Sequence, residues 1–78
     1  MKAKVRIMTA RLGSFESAVR EYTNEEMEEV QELIQTLAKY CNDGNPGYYT
    51  MATTRGSVTF PMTVIQQSVI EFVEVQDD

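Results

Sequence analysis

The chain has no histidine and one cysteine, Cys41, in 78 residues. These absences exclude Ser-His-Asp and Cys-His nucleophilic centres, which need an imidazole base. They also exclude an intramolecular disulfide and a structural zinc site of the Cys/His type. A lone thiol in a chain of this size points to a reducing compartment, and so to the cytoplasm. No apolar run approaches membrane-spanning length, and no h-region follows Lys2, Lys4 and Arg6. No partner in a membrane is expected. Glycine is sparse, and Gly44, Gly47 and Gly56 match neither the dinucleotide fingerprint nor the P-loop. Tryptophan is absent.

Basic residues are also in short supply. The formal net charge is -5. That argues against a nucleic-acid backbone as partner, where lysine and arginine would neutralise phosphates. With neither metal nor disulfide, a small core must come from helix-on-sheet packing or from oligomerisation. No cofactor is expected, and the whole length, 1–78, reads as a single domain.

The most structured signal runs from Thr23 to Cys41. Met27, Val30, Ile34, Leu37 and Cys41 recur at alternating steps of three and four, one stripe of an α-helix. Thr23 with Glu26 three residues on forms a capping box. Glu25, Glu28, Glu29 and Glu32 fall outside the stripe. Lys39 sits near the C-terminal end, where the helix dipole favours a cation. Asn42 to Gly47 ends the helix, with Gly44 expected in the left-handed region.

Around that helix the pattern is of strands. Lys2 to Arg11 alternates, Ala3, Val5 and Ile7 on one side and Lys2, Lys4 and Arg6 on the other. Leu12-Gly13-Ser14 reads as a turn. Phe15 to Tyr22 fits either period; the strand is favoured by Val19, Tyr22 and the preceding glycine. Tyr48 to Thr54 and Ser57 to Phe60 flank a turn at Arg55-Gly56. Pro61 opens a single helical turn or a loop. Val69 to Val75 is the last strand, and Gln76-Asp77-Asp78 a frayed tail. The expected fold is α+β: a single helix packed on a small antiparallel sheet, in the order ββαβββ. In the last strand Ile70 and Phe72 face one way and Val69, Val73 and Val75 the other. Such a strand is either central or buried against a second copy. A homo-oligomer, formed through the uncovered sheet face, is therefore expected.

Three binding chemistries follow. First, Glu25, Glu28, Glu29 and Glu32 present a negative face, with Tyr48 and Tyr49 as anchors beside the Asp43–Gly47 loop, suited to a basic protein partner. Their bland reading is a solvated face; no second acidic cluster supports a metal site or acid–base chemistry. Second, Arg6, Arg11, Arg20 and Arg55, with the tyrosines, could hold an anionic small molecule between protomers. Third, the Lys2, Lys4 and Arg6 stripe with Tyr48 and Tyr49 could bind nucleic acid weakly; its bland reading is a polar strand face paired with glutamates. Cys41, at the end of the apolar stripe, reads as a small buried hydrophobe.

The basic alternating first strand, Tyr22-Thr23-Asn24-Glu25-Glu26 opening an acidic helix, and the Gly-Ser-Val-Thr-Phe-Pro and Val-Ile-Gln-Gln-Ser-Val-Ile-Glu-Phe-Val-Glu segments together resemble a known layout. It is that of small α+β accessory proteins encoded by bacteriophages and other mobile elements. The resemblance implies a non-catalytic protein acting by binding, as an inhibitor of a host or defence protein, or as a sponge for a nucleotide signal. It carries over no binding residue.

Overall fold

A computed structural model describes residues 1–76; Asp77 and Asp78, the end of the expected tail, lie outside the described residues. The elements are β1 (Lys2–Met8), β2 (Ser14–Glu16), β3 (Arg20–Glu21), α1 (Asn24–Asn42), β4 (Tyr48–Thr53), β5 (Gly56–Pro61), α2 (Met62–Ile65) and β6 (Val69–Glu74). The chain is α+β, with one main helix on antiparallel sheets. The strands divide into two sheets. In the larger, β1 is central, with β6 along one edge and β2 and β3 end to end along the other. The smaller is the β4–β5 hairpin.

Phe15 to Tyr22 is extended, as favoured, but interrupted. Arg6 stands opposite Glu16, whereas Ala3 stands opposite Arg20. The register therefore slips by one residue between them, which is a β-bulge. Ser17 holds the break: its amide donates to the Val5 carbonyl at 2.9 Å, and its Oγ accepts from the Val5 amide at 2.8 Å.

Local signals at the helix ends act as the sequence implies. Thr23 Oγ1 accepts from the Glu26 amide at 3.2 Å, and Glu26 Oε1 accepts from the Thr23 amide at 3.0 Å. Arg20 adds a 2.7 Å contact to Glu26 and lies 4.3 Å over the Tyr22 ring. Gly44 has φ 77°, a conformation that spares the chain a Cβ clash. Pro61 precedes the single turn of α2, standing at its N-cap.

The core joins Ile7, Cys41, Met51, Phe60, Met62 and Ile65. Phe15 and Phe60 meet edge-to-face at 5.2 Å, joining the hairpin to the larger sheet. Cys41 Sγ donates toward Met62 Sδ at 3.2 Å, and Gln66 Nε2 donates to the Cys41 carbonyl at 2.6 Å. These contacts clamp the C-terminal end of α1 against α2.

One expectation is corrected here. The helix stripe was expected to be dry along its length, yet Cys41 is the only buried residue of α1. Met27, Val30, Ile34 and Leu37 are half-buried. The helix is fastened at both ends, and the hairpin packs mainly on the β2 side of the sheet through Phe60. The middle of α1 is left only partly covered, with an open cleft on one side between it and the sheet. The last strand, β6, is also an edge strand rather than a central one. Among the described residues no helix is long and apolar enough to cross a membrane.

Candidate interaction surface

Between α1, the larger sheet and the hairpin lies an apolar cleft of about 400 Å³. Val5 and Ile70 form its floor, Leu33, Leu37 and Tyr40 its helical wall, and Tyr49 the opposite wall. Leu33 is 67% exposed and Tyr40 43%. Tyr40 is held in place, its hydroxyl donating to the Pro46 carbonyl at 2.7 Å. Burial, and to a lesser degree the neighbouring Tyr22, raise the pKa of Tyr49, so that wall stays neutral.

The exposed face of α1 has two halves. Residues four apart form continuous ridges on a helix. One ridge runs Glu25, Glu29, Leu33, Leu37, and the next runs Glu28, Glu32, Thr36, Tyr40. Each begins acidic and ends at the cleft. The four glutamates are exposed, and among the described residues none of them makes an ion pair. The sequence exposes the acidic half plainly. The apolar half was hidden, because Leu33 and Tyr40 fall outside the stripe that periodicity selects. The exposed pair of large apolar residues beside that stripe is the signal that could have found it.

The two tyrosines separate. Tyr49 faces the cleft, while Tyr48 is 74% exposed on the outer side of the hairpin. Neither adjoins the Lys2, Lys4 and Arg6 stripe, which lies on the opposite face of the larger sheet. There Lys4 Nζ reaches Glu16 at 2.9 Å, and Arg6 reaches Glu16 at 3.1 Å and Glu71 at 3.6 Å. The Lys4 hydrogen bond, with the charges of Lys4 and Arg6, lowers the pKa of Glu16. This basic stripe is a neutralised strand face.

The arginines are not brought together within one protomer. Arg6 and Arg20 are engaged by glutamates. Arg11 lies in the turn after β1, and Arg55 at the tip of the β4–β5 hairpin, both exposed. Cys41 is buried, and burial raises its thiol pKa, which keeps it protonated. Among the described residues there is no group of three or more Cys, Asp or Glu placed to hold a metal ion.

Compared with known proteins, the chain matches no family model, no curated protein and no solved structure.

Proposed function

We propose that this chain is a non-catalytic interaction protein that docks a basic, amphipathic segment of a protein partner on α1 and the adjoining cleft. The observation that carries the reading is the two-part face of the helix: unpaired glutamates running along single ridges into an open apolar cleft. A partner helix with leucine-like side chains on one face and lysine or arginine beside them would fill the cleft and meet Glu25, Glu28, Glu29 and Glu32. Helix-in-groove recognition works through such anchors. A protein of this kind acts by occupancy, and occupancy of a host or defence protein's basic surface is inhibition.

An amphipathic helical peptide of leucine and lysine serves as the probe, titrated calorimetrically. Binding is expected, weakening as salt screens the rim charges. It should fall on Leu33→Asp and on the double reversal Glu28→Lys, Glu32→Lys, with the fold retained. Equal binding by the wild type and both variants would overturn the proposal, as would no heat at low salt.

A further inference from the structure

The outer edge of β6 is a second surface, on the other flank of α1 from the cleft. Among the described residues β6 pairs with β1 alone. The phase of that pairing is set by the Val75 amide, which donates to the Lys2 carbonyl at 2.8 Å. In an antiparallel ladder, alternate residues direct both backbone groups at one neighbour. Val69, Glu71, Val73 and Val75 therefore address β1. The amides and carbonyls of Ile70, Phe72 and Glu74 point away from it, and among the described residues no strand takes them.

We infer that two copies of this chain associate by antiparallel pairing of their β6 edges, with Phe72 opposite Phe72 of the second copy. Three observations lead there. Part of the usual edge protection is missing: β6 contains no proline, no lysine and no bulge, it is rich in β-formers, and its charges are Glu71 and Glu74 alone. Its register is self-complementary. A two-fold axis at Phe72 places Ile70 against Glu74 of the second copy, so every outward backbone group of β6 finds a partner. On the solvent face the same axis sets Glu71 against Val73 of the second copy. Centring the axis on Glu71 would instead oppose two like charges, an unfavourable cross-strand pair. The flank of α1 beside this edge carries Ala38, which lies near Ile65 and Ile70, followed round the helix by the uncharged Gln31 and Gln35.

The exposed area agrees. A compact monomer of 8.9 kDa exposes about 4,800 Å² by the usual mass scaling. This chain exposes 5604 Å². The surplus of several hundred Å² is shared with the open cleft, so only part of it falls to the β6 edge, against the ~800 Å² that each partner contributes to a standard interface. The protomer is also flat, 39 × 25 × 18 Å, and β6 lies along a sheet edge.

Sedimentation from low to high micromolar concentration, with residue-resolved amide exchange on the unmodified protein, tests the inference. The mass should double as concentration rises. The Phe72 and Glu74 amides should gain protection in step with it, while the Glu71 and Val73 amides stay protected throughout by β1. A monomer at every concentration overturns the inference, as does a dimer in which the Phe72 and Glu74 amides stay open. Glu74→Pro removes an outward donor without touching the β1 ladder. It should weaken association by about tenfold or more, since the two-fold axis deletes two backbone hydrogen bonds at once. Circular dichroism establishes that the variant folds. A folded Glu74→Pro protein with undiminished dimerisation also overturns the inference.

Discussion

Leu33→Ala separates an open cleft from a closed one. Leu33 is 67% exposed, so about a third of its side chain is out of water. Complete burial of a leucine is worth roughly 1.5–3 kcal/mol, and a third of that is ~0.5–1 kcal/mol. Alanine is also the better helix former, which returns a few tenths of a kcal/mol. The net cost of Leu33→Ala should be below about 0.7 kcal/mol. Ile7, by contrast, is 0% exposed, near the end of β1 and within the core cluster. Ile7→Ala should cost ~2–5 kcal/mol, because transfer and cavity terms add.

The measurement is thermal denaturation followed by circular dichroism, at one fixed protein concentration so that any dimerisation contributes equally. In melting temperature, 1 kcal/mol corresponds to roughly 4–8 °C for a domain of this size. Leu33→Ala should move the midpoint by a few degrees at most, and Ile7→Ala by ten degrees or more. If Leu33→Ala costs about 2 kcal/mol or more, Leu33 is buried in solution and the cleft is closed. The docking reading would then lose its anchor.

Other substitutions probe the helix ends and the ion pairs. Thr23→Ala removes one half of the capping box and should cost about 1 kcal/mol in the same denaturation assay. Gly44→Ala should cost ~1–2 kcal/mol from backbone strain alone, because φ is 77° and no atom lies within 4 Å of the added Cβ; an unchanged midpoint would refute the left-handed assignment. Glu26, through its bond to the Thr23 amide, and Glu16, through Lys4, both have lowered pKa values. Their stabilisation is present above the unfolded carboxylate value of about 4.3 and is lost as pH falls through the lower folded values. Acid titration should show stability declining below about pH 4, with Glu26→Gln flattening that limb. Cys41 has the opposite sign. Its raised pKa makes the fold lose stability as pH rises above the unfolded thiol value of about 8.5, and Cys41→Ala should remove that part of the alkaline limb.

Local chemistry was legible in the chain and long-range pairing was not. The capping box, the Gly44 terminator and the helical turn after Pro61 each depend on residues within a few positions of one another. The bulge between β2 and β3 depends instead on how two edge segments divide one central strand, and Ser17 gives no local notice of it. The position of β6 was open in the sequence for a similar reason. Apolar residues on both its faces fit a central strand or a strand covered by another copy, and the pairing with β1 among the described residues rules out the first. The helix stripe named the side that turns inward. How far it turns in depends on where the hairpin packs, and Phe15 and Phe60 draw the hairpin toward the β2 edge. That displacement opens the cleft and leaves Leu33 and Tyr40 in water.

The two surfaces are compatible because they lie on opposite flanks of one helix. The cleft opens between α1 and the hairpin, over a floor that reaches Ile70 of β6, whereas Ala38 and the outer edge of β6 lie on the other flank of the helix. A two-fold axis beside β6 therefore leaves both clefts uncovered and turns them outward, each led by its own acidic ridges. Each protomer would be stiffened by the continuous sheet while its docking face stays free. A partner carrying two basic segments, or a surface with many, would then be held by both clefts at once, and avidity would exceed the affinity of either. The dependence runs one way: dimerisation multiplies what a cleft can do, but an isolated protomer still has a complete cleft. A Glu74→Pro protomer should therefore bind a single leucine–lysine peptide as well as the wild type does. It should lose only the added strength seen with two such peptides joined by a linker long enough to reach both clefts. Loss of single-peptide binding in that folded variant would show that the cleft depends on the dimer, contrary to this arrangement.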